Sequence, residues 1–339
     1  MVSSMNPIKI KNVTFKNRVV MAPMVRFGLS AENGIMGQKL VDHYKKRANT
    51  GIGLMITQAL SVNEGKDFAG GAGAYSEDHI SYLADIRKTC HDSGTRLFAQ
   101  LIYPGFAYYD DNSYDINKIS KHDLIKIRDG FIRGAEICKK AGLDGIEMHG
   151  AHSFFLNMMS SPISNHRIDK YGGDINERLL LVKEIVEGIR SFADDDFIIS
   201  YRMGWNDRLD TDIEMAKVLE KLGIELLHIS SGIPKDRRVE VPENFPFNNI
   251  VYTGTQVKKH VNVPVIVVND IRTLNRGNYL LEHDMCDFIA YGKPFLADEK
   301  FMIKSLVDGD YKACLGCKQC QWYINGEKCP VQIKAQNGR

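Results

Sequence analysis

The sequence predicts an α/β protein built as a closed (β/α)8 TIM barrel with a short cysteine-bearing C-terminal tail. Three observations carry that expectation. Eight short, apolar, β-branched runs alternate with amphipathic stretches along the 339 residues. The amphipathic stretches repeatedly end in Gly just before the next run, as the crossover helices of parallel βα units do. The rival architecture, an open doubly wound sheet, lacks its glycine fingerprint, because the segment after the first run reads APMVRFG and not Gly-x-Gly-x-x-Gly.

The candidate strands are RVVMAPM near 18–24, GLMITQA near 53–59 and RLFAQLI near 96–102, then those near 145–149, 197–203, 225–230, 264–269 and 287–292. Between the third and fourth, residues 123–141 place Leu124, Ile127, Phe131, Ala135 and Cys138 on one helical stripe, and Gly142 offers a left-handed stop. The strand GIEMH follows at once and ends at His149. Asp174 and Glu177 form a capping-box pattern for a helix carrying Leu181, Ile185 and Ile189, after which comes FIISYRM. The unit recurs as MAKVLEKLG with ELLHIS, then VPVIVVN, then CDFIAYG. No low-complexity linker divides the chain, so the barrel is expected over 1–310 and the tail over 311–339.

Composition narrows the function. With 44% apolar and 25% charged residues the chain has the proportions of an ordinary globular protein. A net charge of +2 gives no broad attraction to phosphate backbones or acidic membranes, so neither nucleic acid nor membrane is expected as a partner. No apolar run approaches the roughly 20 residues of a bilayer span, and the N-terminus lacks the apolar block of a signal peptide. A cytoplasmic enzyme acting on a small-molecule substrate is the expectation, with homo-oligomerisation left open. Of the seven cysteines, Cys314, Cys317, Cys320 and Cys329 crowd the tail, a pattern that suits a metal or cluster site better than a disulfide framework.

Barrels of this type carry their active sites at the C-terminal ends of the strands. The polar and special residues there are Pro23, Met24 and Arg26 after the first strand, Gln58 in the second, Gln100 in the third, and His149 and His152 at the fourth. Arg202 in the fifth, Asn269 and Asp270 after the seventh, and Gly292 with Lys293 after the eighth complete the set. An interior-facing Arg202 must find an anion or an electron-rich acceptor, or else a carboxylate such as Glu147, because an unpaired buried guanidinium is too costly. The pair His149-x2-His152 could bind a metal, line a core or donate hydrogen bonds to a substrate oxygen. The segment YGKP offers backbone N–H groups and one cation, a small phosphate cradle of the kind found after strands seven and eight of many barrels.

The stretch AGLDGIEMHGAHSFFLNMMSSPISNHRIDKYGGDINERLLLVKEIVEGIR resembles the signature segment of the Old Yellow Enzyme family of FMN-dependent oxidoreductases, and the likeness runs from NRVVMAPM through VIVVNDIRT to IAYGKPFLAD. The resemblance implies roles. Pro23, Met24 and Ala59 correspond to backbone and packing contacts around the flavin ring, Gln100 to the Gln at the pyrimidine edge, and Arg202 to the Arg near flavin N1 and O2. His149 and His152 correspond to the paired donors that hold the carbonyl oxygen of an α,β-unsaturated substrate. Asn269, Asp270, Gly292 and Lys293 sit where the family binds the FMN phosphate. The implied activity is hydride transfer from NAD(P)H through FMN to an electron-poor alkene.

Four departures from the family pattern stand out. Phe154 occupies the position of the usual proton-donating Tyr, leaving Tyr103 and the Tyr108–Tyr109 pair as the nearby phenols. Asn269-Asp270 replaces Gly-Gly, so only backbone contact is expected there, with Asp270 turned away. Lys293 replaces Arg and offers a point charge in place of a bidentate fork. Val25 stands where relatives carry Thr or Cys. The tail spacing Cys314-x2-Cys317-x2-Cys320-x8-Cys329 resembles the [4Fe–4S] segment of dienoyl-CoA reductases and trimethylamine dehydrogenase in place and in its CLGC opening, with shorter third and fourth spacings. Four thiolates suit Zn²⁺ equally. The chain ends at Arg339, so no electron-delivery domain is expected to follow. Alternatives to the ene-reductase reading are an FMN/Fe–S dehydrogenase of the trimethylamine dehydrogenase type that oxidises C–N bonds, and a non-catalytic flavoprotein subunit.

Overall fold

The computed structural model describes residues 2–26, 29, 31–64, 71–104, 115–236 and 239–337. Every one of the eight predicted runs carries a barrel strand: β1 Val19–Met21, β2 Leu54–Ser61, β3 Arg96–Ile102, β4 Gly145–Gly150, β5 Ile198–Asn206, β6 Leu226–Ile233, β7 Val265–Val268 and β8 Phe288–Tyr291. All neighbours pair in parallel, and the register Tyr291 with Met21 closes β8 onto β1. Outside lie α1 Gln38–Ala48, α2 Ile80–Asp92, α3 Lys121–Lys140, α4 Leu180–Arg190, α5 Leu209–Lys221, α6 Asn249–Lys258, α7 Leu274–Glu282 and α8 Phe301–Val307. The stripe foreseen on α3 is fully used, with Leu124, Ile127, Phe131, Ala135 and Cys138 all buried. Gly142 ends that unit at φ +80°, a conformation that costs a side chain about 1–2 kcal/mol. The Asp174–Glu177 capping box forms and starts the short helix Ile175–Arg178 that leads into α4.

Two-residue periodicity decides what fills the barrel. Leu54, Ile56, Phe98, Ile198, Leu226, Ile266 and Phe288 point inward and form an apolar plug at the bottom. An N-terminal hairpin, Ile8–Ile10 paired with Val13–Phe15, seals that end, and Phe15 meets Phe98 and Phe288 edge-on at 6.1 and 5.3 Å. Two residues further along the same strands the interior turns polar. Gln100 Nε2 donates to Glu147 Oε1 at 2.7 Å, and Glu147 Oε2 lies 2.8 Å from His228 Nδ1, with both the Glu and the His fully shielded from solvent. Another two residues on come His149, Arg202 and Ser230. The strand pattern thus grades from a dry base to a polar mouth.

The tail folds back on that mouth. Trp322 is buried beneath the Arg26 guanidinium, 4.1 Å from its ring centre, and Gln332 Nε2 donates to the carbonyls of Ala297 and Leu296 at 2.7 and 3.3 Å. Among the described residues no helix is long and apolar enough to cross a membrane.

Candidate active site

A cavity of about 810 Å³ opens at the C-terminal ends of the strands. Of the residues expected there, Pro23, Met24, His152, Arg202, Asn269, Asp270, Gly292 and Lys293 line it together, although they come from five separate loops and strands. Ala59, Gln100 and His149 stand outside its wall. Ala59 packs with Ile102 and Phe154, Gln100 is engaged with Glu147 one layer down, and His149 lies behind His152.

The corner that joins His149 to Arg202 is one continuous hydrogen-bonded chain. Ala151 N–H donates to His149 Nδ1 at 3.3 Å, His149 Nε2 lies 3.3 Å from His152 Nδ1, and His152 Nε2 lies 2.7 Å from Ser230 Oγ. From the other side Arg202 Nη2 donates to the same Ser230 oxygen at 3.2 Å. Burial holds both imidazoles well below the usual histidine range, and the Arg202 charge pushes the same way, so the pair is neutral near pH 7. Burial also lowers the Arg202 value, opposed by the Glu147 carboxylate below it. The Arg202 Nε is buried without a hydrogen-bond partner among the described residues, while its residue lines the cavity.

The loop carrying this corner is held in a costly shape. His152 and Ser153 both adopt left-handed φ, +59° and +64°. Asn157, fully buried, fixes them: its Oδ1 accepts from Ser153 N–H at 3.0 Å and its Nδ2 donates to Asn206 Oδ1 at 3.0 Å. Asn206 in turn donates to Ser160 Oγ, which ties the loop to β5 and the helix Phe155–Ser160. Phe154 presents its ring to His149 at 4.9 Å, so the position of the missing phenol is filled by packing. Tyr103 packs edge-on against Phe155 at 5.1 Å and is not among the cavity-lining residues. Tyr108 and Tyr109 lie outside the described residues.

At the opposite end Asn269 and Asp270 take φ +103° and +54°, the conformations that Gly-Gly would adopt freely. Asp270 lines the cavity, and Arg272 Nε donates to its Oδ1 at 2.6 Å, which offsets the acidic charge. Lys293 forms no ion pair with any carboxylate among the described residues. A Cβ on Gly292 would lie 3.0 Å from Met24 Sδ, so a larger residue would crowd the space between β8 and the β1 loop.

Four contributors were not singled out as site residues in the sequence. Ser230 could have been found by counting inward positions from Leu226 in steps of two. Arg272, Trp322 and Tyr323 could not, because a charge two residues beyond a turn and a tail folded over the mouth leave no local pattern. The tail cysteines line a second, small cavity together, and it shares Lys293, Cys314 and Trp322 with the main one. Among the described residues, however, no group of three or more His, Cys, Asp or Glu is arranged to hold a metal ion.

Residues 5–117 and 107–307 match the sequence profile of the NADH:flavin oxidoreductase / NADH oxidase family. The chain is similar to an NADPH dehydrogenase of Halalkalibacterium halodurans, 31% identical over 311 residues covering 85% of this chain and 89% of that protein. It is also similar to a NADH oxidase of Thermoanaerobacter brockii, 29% identical over 337 residues covering 91% of this chain. There it spans only 52% of the relative's length. Among solved structures, a 2-naphthoyl-CoA reductase superposes with a TM-score of 0.84 at 20% identity, covering 99% of this chain and 57% of its own. Barrel, cavity and sequence match agree, and the chain belongs to the NADH:flavin oxidoreductase / NADH oxidase family, as its resemblance to the Old Yellow Enzymes implied.

Proposed function

We propose that the cavity holds FMN and that the protein carries hydride from NAD(P)H to an electron-poor alkene such as an α,β-unsaturated carbonyl. The observation that carries this reading is the convergence, on one cavity, of a buried arginine nitrogen and a lysine that have no hydrogen-bond or ion-pair partner, respectively, among the described residues, together with a neutral imidazole. FMN, when bound, supplies the two-electron hydride chemistry that the side chains lack. Arg202, with its free Nε, would face the electron-rich pyrimidine edge, and its charge would favour the reduced, anionic form. Pro23 and Met24 would pack the ring. Lys293 and the left-handed Asn269–Asp270 backbone would face the phosphate, whose charge the Arg272–Asp270 pair leaves unopposed. Gln100 and Ala59 are proposed as support from the layer below and from the side of Phe154.

The substrate's developing negative charge would fall at the His149–His152–Ser230 corner, where fixed donors need no reorganisation; removing one such donor typically costs ~2.7–4 kcal/mol of barrier. With Phe154 offering no acid, the α-carbon proton would come from water entering the open mouth. NADH or NADPH oxidation should become dependent on added enone, with one saturated carbonyl formed per NAD(P)H consumed. Cofactor oxidation unaffected by every enone tried would remove the alkene from this proposal.

A second reading, oxidation of a C–N bond in the trimethylamine dehydrogenase manner, draws support from the four thiols around one cavity beside the main one. As they stand the thiols do not form a closed ligand set among the described residues. The proposal for the tail is that they draw together around Zn or a [4Fe–4S] cluster, because thiolates held close need a cation. Anaerobically prepared protein should then contain about one Zn or four Fe per chain. Neither metal, with four titratable tail thiols, would leave the segment a packed but metal-free cover.

A further inference from the structure

We propose that Glu147 is a positioning residue that sets how readily the bound flavin is reduced: from one layer beneath the cavity its carboxylate acts as a counter-charge to Arg202 without taking any of the Arg202 N–H groups. The inference rests on the reading that the cavity holds FMN, and it goes beyond that reading by assigning the group that moderates the arginine.

Register places the groups involved. Glu147 on β4 faces Gln100 on β3 as its Cα partner, and Arg202 on β5 has His228 of β6 as its own. On β5, at the level of Glu147, stands Ser200, which donates its hydroxyl to the Leu226 carbonyl at 3.1 Å. A side chain that short leaves room for Glu147 to reach past β5 to His228. The carboxylate is thereby gripped on both oxygens. Because a carboxylate accepts, the Gln100 group 2.7 Å from Oε1 is its NH2, and the His228 Nδ1 2.8 Å from Oε2 carries a hydrogen. Gln100, Glu147, Ser200 and His228 are all buried.

This grip keeps the carboxylate off the guanidinium. Arg202 forms no ion pair with Glu147 among the described residues, yet the carboxylate opposes the burial that lowers the Arg202 value. Glu147 therefore acts on Arg202 through its field alone. A carboxylate free to swing upward would take a bidentate pair of N–H groups from the arginine. Held by Gln100 and His228, it leaves those groups to Ser230 and to the cavity. Burial leaves the two fixed charges weakly screened. The negative charge that reduction adds to the flavin is drawn by Arg202 and repelled by Glu147. The site thus favours reduced flavin less than the arginine alone would, and what it holds is a stronger reductant.

The test measures, on the full chain, the affinity for oxidised FMN and the reduction potential of the FMN-loaded protein at pH 7. Glu147→Gln keeps the shape of the side chain and removes its charge. Its affinity for reduced relative to oxidised FMN should rise about tenfold, which is about 30 mV upward on the two-electron couple. Glu147→Asp, which keeps the charge, should stay within about threefold of the wild-type ratio. The double variant His228→Gln/Glu147→Gln gives the new amide a partner on β6, so a fold lost in the single variant does not remove the test, and it should show the same rise. A ratio unchanged or lowered in the neutral variants overturns the proposal. So does an equal loss of affinity for both forms of FMN, the result of a purely structural support. Wild-type protein that takes up no FMN would overturn the cofactor reading and this inference together, whereas FMN bound with an unaltered ratio counts against Glu147 alone.

Discussion

Arg202 stands between two demands. Below it lies the Glu147 carboxylate, and above it Ser230 takes one of its N–H groups while its Nε has no hydrogen-bond partner among the described residues. A buried guanidinium left so incompletely satisfied implies an acceptor that arrives with a ligand. Arg202→Ala should therefore lower FMN occupancy in purified protein and make the bound flavin harder to reduce. Full occupancy with an unchanged reduction potential would show that the arginine serves the barrel alone. The neutral histidines make a second prediction at this scale. Burial lowers the values of His43, His149, His152 and His228 relative to an unfolded histidine near 6.5. The unfolded chain then binds protons that the folded one refuses, so stability is fully present above about pH 6.5 and is lost as the pH falls below it. Each such histidine contributes a slope of at most ~1.4 kcal/mol per pH unit. Melting curves between pH 7.5 and 5 should show the decline, and replacing His228 together with its partner, as in the double variant His228→Gln/Glu147→Gln, should flatten it.

At the scale of elements, the loop after β4 is one of two costly pieces of backbone around the cavity, the other being Asn269–Asp270. Its two consecutive left-handed residues persist because Asn157 bridges Ser153 to Asn206. Asn157→Ala would leave the partly buried Ser153 N–H and the buried Asn206 amide oxygen without these partners, at a cost of about 1–3 kcal/mol. A lower melting temperature should accompany weaker binding of cyclohexenone, because His152 rides on the same turn. Loss of stability with intact ligand binding would show that the turn holds its shape without the clamp. The histidine pair and its strand were legible in the sequence because GIEMH ends a period-two run at the expected level of the barrel. The clamp was not, since Asn157, Ser160 and Asn206 meet only after the β5 strand is laid beside β4. The tail illustrates the same limit: four close cysteines advertise themselves, yet nothing local says that Trp322 will lie under Arg26.

For the whole molecule, the eight strands and their order follow from alternation alone, and so does the placement of eight predicted residues around one cavity. What alternation cannot supply is the layer at which each inward residue stops. Gln100 belongs to the level of Glu147 and His228, below the cavity, although it was expected at the flavin edge. The graded interior, apolar at the hairpin-sealed base and polar at the mouth, is the feature that on the proposed function would make the barrel a support for redox chemistry. Its base is apolar, and on the proposed function charge at the mouth falls to Arg202 and Lys293. The proposed activity requires that bound FMN, reduced through this mouth, give its electrons to an alkene. The direct measurement is anaerobic: protein reduced with one equivalent of NAD(P)H is mixed with cyclohexenone and followed by flavin absorption. Recovery of the oxidised flavin spectrum with formation of one equivalent of cyclohexanone is the predicted result. A flavin that stays reduced with the enone present, yet reoxidises when air is admitted, would contradict it.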